Sequence, residues 1–250
     1  MEIDLEEPLV EPLPETAPEM PKVSWSGILL YTISVWVNYL VGYFGIYRPF
    51  KLTGGPMVPH GAVRVFGDLV TLGWFAFAFA CLPWHRWEQR TFLVTKDRYG
   101  VMHYLVWWLS TLFTMFVFGE LGKIPAFQTS FDSTDPLPGK KEVNAMAIVL
   151  MVSIVVYWIA KSFKMPHQRQ LIFLRISGVV ATVFLISYLL CSMDDLCGYH
   201  LHHWWFGFVL TLLSTTMLDN WFDYLLQGAF WAFVIESLFH YRFIFGEFFL

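Results

Sequence analysis

The run VNAMAIVLMVSIVVYWIAKSF, Val143 to Phe163, decides the fold. It carries a single charge, Lys161, close to its end, and its length matches the roughly 20 apolar residues that a helix needs to cross a bilayer. Lipid offers no hydrogen bonds to the backbone, so a segment of this kind must satisfy its own N–H and C=O groups as an α-helix. Working outward, apolar runs bounded by charges, Pro or Gly predict further spans at 24–46, 65–84, 101–122, 171–192, 200–219 and 221–243. Between the last two lies only Leu218-Asp219-Asn220-Trp221, a tight turn that makes those helices antiparallel neighbours. Fusion of the two into one long interfacial helix would lower the count from seven to six.

Composition agrees. Of 250 residues, 56% are hydrophobic and only 14% charged, against about a quarter charged in soluble domains, so no water-soluble core could hide the apolar surface. The expected architecture is all-α, a polytopic transmembrane helical bundle of about seven spans over residues 24–250. Residues 1–23 form an acidic, Pro-rich tail, with Glu2, Asp4, Glu6, Glu7, Glu11, Glu15 and Glu19 among five prolines, expected to be disordered. The tail lacks the basic start and cleavage site of a signal peptide, so the first apolar helix is expected to serve as an uncleaved anchor. No basic patch stands out, which excludes nucleic acid as an expected partner; membrane lipids are expected, and homo- or hetero-oligomers stay open. Cys81, Cys191 and Cys197 form no metal-type spacing. Cys191 and Cys197 could pair on an oxidising side, but a reduced pair is the expectation.

Trp84, Trp87, Trp107, Trp108, Trp204, Trp205 and Trp221 fall near predicted span ends, where an aromatic belt meets the headgroups. The N-terminal side collects Lys22, Arg86, Arg90, Lys96, Arg98, Lys161, Lys164, Arg169 and Arg175; the opposite side collects Arg48, Lys51, Arg64, Lys123, Lys140, Lys141 and Arg242. That slight excess places the N-terminus in the cytoplasm, in an endomembrane or the plasma membrane.

Ionisable groups are costly inside a bilayer, so each one near a span is a functional candidate. Alternating helix directions bring Asp68, Glu120, Asp194, Asp195, His200, His202, His203, Glu236 and His240 to the side opposite the N-terminus. If the sixth helix starts near Gly198, His200 and His203 share a face while His202 points about 100° away. Glu236 and His240 stand four apart, and the turn at Asp219 returns them to the depth of His200 to His203. Imidazoles with a carboxylate suit zinc or iron, which gives His200, His202, His203 and His240 as candidate metal ligands and Asp194, Asp195 and Glu236 as candidate catalytic groups. The competing reading is structural: histidines at a helix start hydrogen-bond lipid phosphate, and Glu236 pairs with His240 along one helix. H-x-H-H is not the H-E-x-x-H of zinc proteases, and His103 has no evident partner at its depth, which leaves little ground for haem.

A second polar line, Asp219, Asp223 and Gln227, follows at i, i+4 and i+8; capping and solvation of the turn account for it unless Asp223 and Gln227 face the bundle. Asn38 and Asn144 are expected to act as interhelical hydrogen-bond glue. No nucleophile elbow, phosphate loop or dinucleotide fingerprint occurs. Two functions remain: a metal-dependent membrane lipid hydrolase, or a non-enzymatic transporter, lipid-binding or scaffold protein.

At His200-Leu201-His202-His203-Trp204-Trp205, followed by the aromatic-rich helix with Gln227-Gly228, the chain resembles a group of polytopic eukaryotic membrane proteins without an assigned activity. Some fungal members of that group carry an extracellular LCCL domain, and this chain has no such segment. The resemblance covers about the last fifth of the chain and implies a multi-helix membrane fold. The span count and polar cluster also look like the ceramidase and adiponectin-receptor superfamily, which holds zinc with three histidines. That superfamily draws one histidine from an early span and two from a late H-x-x-x-H, a pattern this chain does not follow.

Overall fold

The computed structural model describes residues 25–52, 61–81, 98–124, 140–192 and 203–240, and among them the chain is all-α, with seven helices. These are α1 (Trp25–Phe50), α2 (Ala62–Ala80), α3 (Arg98–Leu121), α4 (Lys140–Ser162), α5 (His167–Ser192), α6 (His203–Thr215) and α7 (Trp221–His240). Four contain stretches long and apolar enough to cross a membrane: Trp25–Phe50, Ala62–Ala80, Gly100–Leu121 and Ala145–Ser162. The acidic tail, Asp194, Asp195, Cys197, His200 and His202 lie outside the described residues, as do the side chains of Cys191, His203 and His240.

α6 and α7 are separate helices, joined at 216–220, so the fused alternative falls away. The first span is longer than its hydrophobicity indicates. After Leu40 the helix widens into a π-helical stretch, Val41–Tyr47, and ends in one further turn, Arg48–Phe50. The Arg48 N–H reaches back five residues to the Tyr43 carbonyl, and the Leu52 N–H to that of Tyr47 at 3.1 Å. Lys51, in the left-handed region at φ 49°, terminates it.

Cross-helix contacts fix the directions. Trp36 Nε1 donates to the Leu69 carbonyl at 2.7 Å and Trp25 stacks on Phe77, so α2 runs back along α1. Tyr31 meets both Trp107 of α3 and Trp231 of α7, and Tyr47 meets Phe239, so α1, α3 and α7 run in parallel. α6 lies antiparallel to α7, with Gly207 against Phe230 and Val234. Trp158 packs edge-on to Phe230, which turns α4 against α7 as well. Starts of odd helices and ends of even ones therefore share one end of the bundle, the N-terminal end.

The main core sits where α1, α2, α3 and α7 meet, with Tyr31, Tyr39, Tyr47, Trp107, Trp231 and Phe239 fully buried. Trp107 is thus a core residue, a correction to its expected place in the aromatic belt: Tyr31 and the backbone of α7 cover it. Trp221, by contrast, is 54% exposed. α4 and α5 attach through a smaller cluster of Ile154, Trp158, Phe173, Leu210, Met217 and Phe230. Elsewhere α4 bares Met146, Val149, Val152, Val156 and Ile159 along one side, and α2 bares Val63, Phe66 and Trp74. Monomeric soluble proteins rarely expose apolar surface on this scale.

Small residues set the closest approach. A Cβ on Gly228 would lie 2.4 Å from the Trp107 carbonyl oxygen, so α7 rests on the backbone of α3 there. Ser110 Oγ ties the same contact by donating to the Leu225 carbonyl at 2.7 Å. Gly228→Ala is expected to cost about 1–3 kcal/mol by overpacking. Gly178→Ala, whose Cβ meets nothing within 4 Å, should gain up to about 1 kcal/mol from helix propensity. Thermal unfolding of the two variants in detergent would separate these effects.

Candidate functional site: two polar ends of one bundle

At the end away from the N-terminus, α1, α2 and α7 bring polar groups together. Tyr39 donates its hydroxyl to Asp68 Oδ2 at 2.6 Å, and Arg64 Nε stands 3.9 Å from the same oxygen. Arg64 Nη2 donates to the Leu238 carbonyl at 2.7 Å, placing a cation at the C-terminal turn of α7, where the helix dipole favours it. Glu236, partly buried, lies against the hydroxyl of Tyr47. Asp68 and Glu236 therefore lie on the side expected of them. Glu120 reaches the same end but ion-pairs with Lys123 at 2.9 Å, half in solvent, and takes no part in the cluster.

Of the candidate ligands and catalytic groups, Glu236 alone has a described side chain. Among the described residues no three His, Cys, Asp or Glu side chains come together to hold a metal. His103 stacks on Tyr224 with ring centroids 4.9 Å apart, a partner the sequence did not reveal. Asn38 departs from expectation. It is fully buried, but neither amide atom finds a hydrogen bond among the described residues. The Gln227 amide, also fully buried, stands the same way.

The N-terminal end holds a denser constellation around the α6–α7 turn. Asn220 caps α7, its Oδ1 accepting from the N–H groups of Phe222 at 2.9 Å and Asp223 at 3.2 Å. Asp223 Oδ2 answers by accepting from the N–H groups of Asp219 and Asn220, each at 2.9 Å, a reciprocal capping box. The same carboxylate receives the Lys161 ammonium, and its Oδ1 receives the Tyr157 hydroxyl at 2.8 Å. Asp223 is only 2% exposed, so burial is offset by four donors on two oxygens. It faces the bundle, and so does Gln227.

Arg169, equally buried, forks onto both oxygens of Asp219 at 2.8 and 3.0 Å. Its Nε donates to the Thr216 carbonyl at 2.5 Å, and Lys161 donates to that of Met217. The two cations thus satisfy carbonyls left over where α6 ends, as the helix dipole favours. Both stood in the sequence reading as orientation charges only. The available signal was Lys161 itself: a lone ammonium inside an apolar span calls for a carboxylate at its depth, and Asp223 is that carboxylate.

Beside this clamp a cleft of about 520 Å³ opens between Tyr157 and Lys161 of α4, Lys164 in the turn that follows it, Pro166 and Arg169 around the start of α5, and Asn220. The α4 members share one helix face, and the cleft lies at the end of the Ala145–Ser162 stretch. The chain matches no known protein family, no curated protein and no solved structure.

Asp223→Ala leaves the Lys161 ammonium buried without its carboxylate and is expected to cost about 3–5 kcal/mol. Asn220→Ala, which removes the cap but leaves the ion pair in place, should cost about 1 kcal/mol. The double variant Lys161→Met/Asp223→Leu should recover much of the Asp223→Ala loss, because it leaves no unpaired charge. Melting temperatures in detergent that fall alike for Asp223→Ala and Asn220→Ala would contradict this ranking.

Proposed function

We propose that this chain is a multi-pass integral membrane protein that crosses the bilayer seven times and holds lipid without carrying solute across. The supporting observation is the cleft beside the Lys161–Asp223 clamp: it combines cations with a helix-end position and adjoins exposed apolar side chains, Ile159 of α4 and Phe163 just past its end. That combination suits a molecule with a polar head and apolar chains. Transport is disfavoured by α7. Its polar line stops at Gln227, and Phe230, Trp231, Ala232, Val234 and Ile235 are buried before Glu236 is reached. Retention of lipid through detergent extraction and gel filtration, measured by mass spectrometry, is the test. Protein that emerges free of lipid would sink the reading.

Seven crossings with a cytoplasmic N-terminus carry a topological prediction. A glycan acceptor placed in residues 1–24 should stay unmodified, whereas one in residues 125–139 should be glycosylated in microsomes. The reverse pattern would invert the protein in its membrane.

A second reading, a metal-dependent lipid hydrolase, draws on Glu236 standing with Tyr47 at the end where sequence places His200, His202, His203 and His240. Zinc or iron held there would make bound water a nucleophile near neutral pH. Elemental analysis should then find near-stoichiometric metal that is lost from a folded His200→Ala/His203→Ala variant. Metal-free wild-type protein would remove this reading.

A further inference from the structure

We infer that the cleft between α4, the start of α5 and the α6–α7 turn is a binding site for an anionic phosphate headgroup, with Lys164 as the residue that contacts it. The inference rests on the lipid-holding reading above and names the chemistry of the lipid. Three cations, Lys161, Lys164 and Arg169, line the cleft, and Asp219 lines it with them. Lys161 is committed to Asp223 and the Met217 carbonyl, with Asp219 3.5 Å away, and Arg169 to Asp219 and the Thr216 carbonyl. Lys164 is exposed, and its ammonium makes no hydrogen bond or ion pair with the described residues. Counting Asp223 behind the wall, three positive groups face two negative ones, and the unbalanced charge is the accessible one.

Position selects the source of the anion. Lys164 lies two residues beyond the apolar stretch Ala145–Ser162, at the level where phosphates of a bilayer stand. Phe163 beside it is 76% exposed and Ile159 one turn back 48%, an apolar wall for an acyl chain that a free phosphate ion would not need. The volume, about 520 Å³, admits a headgroup larger than phosphate alone.

The test uses full-length protein in detergent micelles with fluorescent dioleoyl phosphatidic acid or dioleoyl phosphatidylcholine as probe. Phosphatidic acid should bind more tightly, and Lys164→Ala should weaken it about fivefold, the value of one lysine near an anionic surface. Binding of phosphatidylcholine should not change. Lys123→Ala removes an equal charge at the opposite end of the bundle and should leave both probes unaffected. Equal weakening by Lys123→Ala, or none by Lys164→Ala, would overturn the assignment. Displacement of the lipid by millimolar inorganic phosphate would assign the site to a free anion and overturn the headgroup. If neither probe binds, the lipid-holding reading itself fails; if both bind alike, only the headgroup inference does.

Discussion

The Asp223 carboxylate is the point from which the N-terminal end of the bundle is organised. It caps α7 through the turn, receives Lys161 and Tyr157 from α4, and so joins a helix that has few other polar ties to the rest. An ion pair at this depth is no gift of stability in itself, since both charges give up water to form it. What it provides is register. With Lys161 bound to the Met217 carbonyl just past α6 as well as to Asp223 in the first turn of α7, α4 cannot slide along its axis without stranding a charge. Arg169 repeats the arrangement for α5 on Asp219. Apolar packing fills in around these fixed points, through Trp158, Phe230 and Met217.

The remaining helices obey a different constraint. α1, α3 and α7 are held by aromatic rings and by bare backbone, with Tyr31 accepting a hydrogen bond from Trp231 Nε1 at 2.6 Å in the middle of the core. Tyr and Trp bring large contact areas at little entropic cost and a polar tip that can find its partner in a dry interior. Two amides, Asn38 and Gln227, are buried without hydrogen bonds among the described residues, which marks the places where the core gives up stability.

Much of this was legible beforehand. Runs such as Val143 to Phe163 announce helices because lipid-facing residues have no periodic polar face to confuse them, and charges at their ends fix the boundaries within a few residues. The turn at Asp219-Asn220 was legible from the few residues that part the last two apolar runs, but the cap expected of Asp219 falls to Asn220 and Asp223, and Asp219 instead pairs with Arg169. Harder to read were the partners. Lys161 and Arg169 look like orientation charges in a linear count, and only the packing of α4 and α5 beside the turn converts them to ligands of Asp223 and Asp219. Trp107 misleads for the same reason, since a tryptophan at a span end and one at a three-helix contact have the same sequence surroundings. The histidines His200, His202, His203 and His240, with Asp194 and Asp195, have no described side chains by which to judge them. Glu236 is the part of that candidate site with a described setting, and its neighbour is Tyr47.

The wide turn in α1 carries a geometric consequence of its own. Tyr39, Tyr43 and Tyr47 are spaced by four and all contact the one ring of Phe239. Along a regular α-helix, residues spaced by four advance steadily around the axis and would fan away from a single neighbour. Hydrogen bonds that reach back five residues rotate the chain less at each step, so the drift accumulated before Val41 is undone after it. The π segment acts as a phase correction: it lets a helix too long for a straight seam keep three phenol rings trained on the end of α7, and it delivers Tyr47 to Glu236.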